Sequence, residues 1–335
     1  MPRSFSFFLL SFLLLFPQTS WANLRVVTDI TPIYGLVAQV MKGVGTPSVI
    51  IRAGSDPHHY QLRPSEAANI EQADIIFWIG PELTPWLQPA FDNLAADAKI
   101  ISLMKIDGLT RLAAGADSHV HHHEDNHDHE DKQNHEDKHD HDGKNEAGHH
   151  NEAGHQNKAG HENSGIDPHL WLDPENARIW LQEIARTLSL YDPENAEIYR
   201  ENARAADHKI AGLQRRIARI MATSRLMPVF AQHAAFAYFE NRFGLEIVGT
   251  LYDRENEAPS PGHIAELYQL TRNMPKACLL AETQLENNVI ASVFSKTDLL
   301  VMALNPSGAA NSPPLTAYSD LMERLANGLE KCSTP

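Results

Sequence analysis

Eight short apolar runs, separated by stretches with helical spacing, restrict this chain to one kind of architecture. Four come early, at residues 24–30, 47–53, 73–80 and 99–104. Four come late, at 227–232, 245–252, 278–283 and 298–305. Helix-like segments such as 33–41 and 65–72 lie between them. Strands that alternate with helices form parallel sheets whose faces those helices cover. The expectation is an α/β protein of two similar lobes, each built on a parallel four-stranded sheet. The halves resemble each other in pattern only; no residue-level repeat is visible.

The join between the halves reads as one long helix. Asp192-Pro193-Glu194-Asn195 supplies an N-cap, a proline at the first helical position and an acid in the first turn. From Ala196 to about Met221 there is one glycine and no proline. About 29 residues at 1.5 Å each make a rod of about 43 Å, a length suited to crossing both lobes. Ile198, Ala205, Ala206, Ile210, Leu213, Ile217 and Ile220 follow helical spacing and are its expected buried face. The expected division is an N-terminal lobe at 23–190, a connector at 191–223 and a C-terminal lobe at 224–335.

Residues 117–163 do not fit that frame. They hold 13 of the 19 histidines and 13 acidic residues against 4 lysines, so they carry nine of the fifteen net negative charges. Val120 is their one large apolar residue. Such a segment buries too little apolar surface to offset the entropy of ordering, and its composition predicts a disordered loop. Neutral imidazole is the commonest metal ligand. His121, His122, His123, His127 and His129 therefore make an expected auxiliary metal-binding cluster. The rest of the chain is only mildly acidic, which does not point to nucleic acid.

Residues 1–22 read as a secretory signal peptide: Arg3 is basic, 5–16 is apolar apart from Ser6 and Ser11, and Ser20-Trp21-Ala22 offers small residues for cleavage. No later run is long and apolar enough for a transmembrane helix. No cysteine near the cleavage position offers a lipid attachment point. The expected location is the periplasm. In an exported protein the two cysteines, Cys278 and Cys332, are most simply a disulfide. The alternative, a cysteine-containing metal site, lacks a neighbouring cysteine or a histidine at ligand spacing.

Six histidines lie outside the loop. His58 in DPHHYQLRPSE, His169 in DPHLWLDPEN and His233 in FAQHAAFAYFENRFGLE sit beyond expected strands or in proline-flanked turns. Ligands of open α/β sheets bind outside the carboxyl ends of strands, and converging imidazoles suit zinc. His59 is an alternative to His58. His208, within the connector, and His263 read as surface residues.

Those three phrases, with LLAETQLENNVI, make the chain similar to the zinc-specific solute-binding proteins of bacterial ABC importers, the ZnuA type of the cluster A-I metal-binding family. The resemblance runs from Asn23 to Cys332. It implies two lobes on a rigid helix with Zn²⁺ in the cleft, held by His58, His169 and His233. Manganese-binding relatives usually carry a carboxylate at the third of these positions, so His233 favours zinc. Many members place an aspartate in a phrase like LDPLG, where this chain has ALNPSG with Asn305. The fourth donor is then water, Asn305 or an acid from the loop holding Asp253, Glu255 and Glu257. The implied function is a non-enzymatic, monomeric carrier that passes Zn²⁺ to an inner-membrane ABC permease and its ATPase. The rival readings are a manganese or iron carrier, a three-histidine zinc hydrolase, and a metal-sequestering or adhesion protein.

Deleting residues 117–163 should leave the fold and one tight zinc equivalent intact and remove only weak equivalents. Calorimetric zinc titration of the deletion variant checks this; loss of the tight equivalent would put the loop inside the site.

Overall fold

The structure, a computed structural model, describes residues 24–114, 165–252, 259–282 and 287–333. The expected signal segment, the His-rich segment with His121, His122, His123, His127 and His129, and Asp253, Glu255 and Glu257 all lie outside the described residues.

The first half alternates as β1 (Val26–Ile30), α1 (Thr31–Val40), β2 (Ser48–Ile51), α2 (Pro64–Glu71), β3 (Ile75–Trp78), α3 (Leu87–Leu94) and β4 (Lys99–Ser102). Two long helices follow, α4 (Pro174–Tyr191) and α5 (Ala196–Thr223). The second half runs β5 (Val229–Ala231), α6 (Ala237–Phe243), β6 (Ile247–Thr250), α7 (Pro261–Thr271), β7 (Lys276–Ala281), α8 (Asn287–Val293), β8 (Asp298–Ala303) and α9 (Ala317–Lys331). Both sheets are parallel and four-stranded, ordered β2-β1-β3-β4 and β6-β5-β7-β8. The same order twice is the expected pair of similar lobes.

The central strands β1 and β3 are buried at every position, as two covered faces require. At the end of β1 the buried Asp29 accepts N–H bonds from Ile30 and from Ile79, both at 2.8 Å, which ties β1 to the residue after β3. Burial pushes its carboxyl up to about 7 against the pull of those N–H groups.

The helices α1, α4, α5 and α9 form a layer common to both lobes. α5 packs on α1, α4 and α9, and α1 packs on α9. One apolar core runs through all of them, from Val26 to Leu329; a smaller one around Phe230, Leu279 and Phe294 belongs to the second sheet alone. α1 is buried almost all round. Gly35 lets it approach the start of α9, since a Cβ there would lie 2.9 Å from the Tyr318 nitrogen. The 28 residues of α5 span about 42 Å. Along its length Asn202 caps α1 by donating to the Val40 and Lys42 carbonyls, Arg178 of α4 pairs with Asp207, and Arg216 reaches Glu323 of α9.

The buried face of α5 differs from the expected one. Tyr199, Ala203, Ala206, Ile210, Leu213, Ile217 and Met221 are buried, whereas Ile198 and Ala205 are exposed. Tyr199 takes the inward position because its ring enters the core while its hydroxyl donates to Asp192 at 2.7 Å.

Two closures matter for the site. Ala113 and Ile166 form an antiparallel bridge and Ala114 N–H donates to Gly165 O at 2.6 Å, so the residues flanking 115–164 are joined at one pinch. In the second lobe Cys278 of β7 is bonded to Cys332 after α9, with Cα atoms 5.7 Å apart and both residues fully buried. Met227 N–H also donates to Cys332 O, beside a bridge from Leu226 to Ser333.

With its cysteines 54 positions apart in sequence, the bridge stabilises by about 4 kcal/mol in the chain-entropy model. Reduction should lower the melting temperature. Thermal scans with and without reductant test this, and coincident curves would show that the bridge contributes nothing.

Candidate metal centre

His58 belongs to the first lobe. It lies in the loop after β2, and that loop is fixed locally. Its own N–H donates to Asp56 at 2.8 Å, and Trp86 Nε1 donates to Pro57 O at 2.9 Å. Further along, Tyr60 Oη donates to Glu66, whose other oxygen caps the N–H of Arg63 at the start of α2.

His169 stands just before the short turn that leads into α4, and it is 2% exposed. Asp167, also buried, accepts from the His169 backbone N–H and contacts its Nδ1, both at 2.8 Å. A carboxylate accepts only, so Nδ1 carries the proton and Nε2 keeps its lone pair. This is how a metal-binding imidazole is oriented and made more basic.

His233 and Glu282 are brought together by strand register. β5 and β7 are adjacent and parallel, with Ala231 opposite Leu280. Two residues further along each chain come His233 and Glu282, and their Nδ1 and Oε1 atoms lie 2.7 Å apart. Gln232 braces the pair: its N–H donates to Leu280 O, and its side-chain oxygen accepts from Glu282 N–H at 2.8 Å.

The three rings from three segments meet. Ring centroids lie 5.8 Å apart for His58 and His169 and 5.5 Å apart for His169 and His233. Two imidazoles bonded to one tetrahedral zinc at about 2.0–2.1 Å put their centroids roughly 5 Å apart. The rings here are a little wider. Among the described residues no three His, Cys, Asp or Glu side chains are close enough together to hold an ion at these spacings.

The electrostatics match a cation site. Burial pushes His58 down to about 3, with the facing His169 and His233 adding to the fall against Asp56 and Glu282. Burial raises the Glu282 carboxyl, but His233, His169 and His58 outweigh it and hold it below the ordinary carboxylate value. Near neutral pH the cluster therefore offers an uncharged His58 and an anionic Glu282.

The remaining residues singled out in the sequence lie elsewhere or have other partners. His59 is exposed, its Nδ1 3.7 Å from Asp56. His208 is on the solvent side of α5, and His263 Nε2 contacts Thr250 O at 2.9 Å. The Asn305 side-chain oxygen accepts from Ser307 N–H at 2.7 Å and shapes the turn after β8. Sequence reasoning passed over Glu282, although it sits in the LLAETQLENNVI phrase. The signal was the pairing of its strand with the one that ends at His233.

The chain as a whole is similar to known proteins. A family model described as zinc-uptake complex component A, periplasmic, matches residues 26–332. The high-affinity zinc uptake system protein ZnuA of Paracoccus denitrificans is 40% identical over 309 residues, covering 92% of this chain and 91% of that protein. The protein of the same description from Brucella abortus is 38% identical over 309 residues, with the same coverage. Among solved structures, a Zn(II)-bound variant of AdcAII from Streptococcus pneumoniae superposes with a TM-score of 0.65 at 23% identity, covering 92% of this chain and 98% of that one. At that identity the likeness is one of fold.

The depressed His58 has a consequence for pH. An unfolded chain takes up its proton near the ordinary value of 6.5, and the folded chain refuses it until about 3. His58 therefore costs the metal-free fold stability as pH falls through that window. Ring NMR of the metal-free protein should find His58 neutral at pH 5; a His58 that titrates near 6.5 would contradict the buried geometry.

Proposed function

Because this chain belongs to the ZnuA family of periplasmic zinc-uptake components, we propose that it is the carrier that captures Zn²⁺ in the periplasm and hands it to an ABC permease and its ATPase. The observation that carries the reading is the meeting of His58, His169 and His233 beside Glu282 at the strand ends of two lobes.

Zinc is the cargo, and His58, His169 and His233 are its neutral ligands. Glu282 is the fourth donor, in place of Asn305, whose amide oxygen is engaged in its own turn. Three imidazoles and one carboxylate suit zinc in softness and in number, and manganese prefers a set richer in oxygen. The carboxylate offsets part of the ion's charge inside a cleft where solvent cannot. Four protein donors leave no open coordination position for an activated water, which favours binding over hydrolysis.

The rest of the chain serves that site. The lobes span 23–190 and 224–335, with 191–223 as the rigid member between them, and the working unit is a monomer. The residues on either side of 115–164 are joined just before Asp167, so weak sites in the His-rich segment raise the local zinc concentration close to His169.

Chelator competition on the mature chain, with a chelator strong enough to strip the loop, tests the assignment. His58→Ala, His169→Ala and His233→Ala should each weaken the tight site by more than the roughly 10–100-fold typical of an outer partner. Glu282→Gln should weaken it too, by removing the anionic donor. Parental affinity in the histidine variants would overturn the ligand set.

A further inference from the structure

The segment that carries His169 is gripped by a helix of the other lobe. Tyr238 on α6 is fully buried, and its hydroxyl donates to Asp167 O at 2.9 Å. The same hydroxyl accepts from Leu112 N–H at 3.1 Å, so both its capacities are used on the two strands of the pinch. One turn later Arg242 makes a two-pronged pair with Asp173: Nε and Nη2 each lie 2.7 Å from a different carboxylate oxygen. Asp173 is fully buried and also caps α4 by accepting from Glu175 N–H. Residues four apart share a helix face, so Tyr238 and Arg242 hold 167–173 at two points from one side. His233 precedes α6 by only four residues.

Resting on the assignment of His169 and His233 as zinc ligands, we propose that Tyr238 and Arg242 are positioning residues for zinc: they fasten the His169 segment to the helix that begins beside His233 and so set the spacing of the two rings before the ion arrives. The chain of contacts is continuous. Tyr238 fixes the Asp167 carbonyl, Asp167 fixes the His169 ring through Nδ1, and the Arg242 pair fixes the far end of the turn. A fork-shaped pair constrains direction as well as distance, which a lysine in place of Arg242 cannot do. Ligands held in place in advance do not lose that freedom on binding, and affinity rises accordingly.

A residue that merely holds the lobes together would change stability without acting through His169. The discriminating experiment is a cycle of Tyr238→Phe and His169→Ala in the mature chain, with zinc affinity read by chelator competition and the visible spectrum of one equivalent of Co²⁺ as a report on coordination geometry. Tyr238→Phe should weaken zinc about tenfold and alter the Co²⁺ spectrum, and it should add nothing further once His169 is alanine. Arg242→Gln should follow the same pattern, with less loss in Arg242→Lys. Parental affinity and spectrum in Tyr238→Phe, or an undiminished loss in the His169→Ala background, would overturn the proposal while leaving the ligands in place. Parental affinity in His169→Ala alone would remove the ligand assignment, and this inference with it.

Discussion

Parallel sheets must be covered on both faces, and here two sheets meet that demand partly with the same helices. α1, α4, α5 and α9 share one apolar core with strands of both lobes. From this constraint the placement of the site follows. The sheets are held in a fixed relation, their strand-end loops converge, and side chains 64 and 111 residues apart in sequence come within ring-contact distance. α5 is best regarded as a spine in that layer, since it carries polar anchors to α1, α4 and α9 as well as apolar ones.

Much of this was legible in the sequence. All eight strands fall within or beside the apolar runs that announce them, and β-order apart, the two-lobe plan needs no more than the alternation. Strand ends were less legible. The last residues of a run often make turns, as where Ile79 gives its N–H to Asp29 and Gly80 completes the exit from β3. On α5 a tyrosine displaced an isoleucine from the buried face, because its hydroxyl found Asp192. Hydrophobicity alone ranks those two residues the wrong way round. Glu282 escaped notice for a deeper reason. Its neighbour in space is set by which strand lies beside β7 and in what register, and a one-dimensional pattern does not carry that.

The histidines divide by how they are held. His58 is fixed by contacts within its own lobe, through Asp56, Trp86 and the Tyr60–Glu66 pair. His169 is fixed by its own Asp167 and from across the lobes by α6. Burial, reinforced by the facing His169 and His233, keeps the His58 ring from taking up a proton. A neutral His58 beside the anionic Glu282 has its lone pair ready for a different cation.

The closure of the second lobe also imposes an order in time. Cys278 finds its partner 54 residues further on, and Leu226, just ahead of β5, is bridged by Ser333, which follows every other element of the lobe. A chain delivered amino end first thus presents His58 and His169 well before the platform under His233 and Glu282 can be locked. The cleft is complete only when the last elements of the chain are in place. A chain stalled halfway would hold His58 and His169 without the strand platform that carries His233 and Glu282.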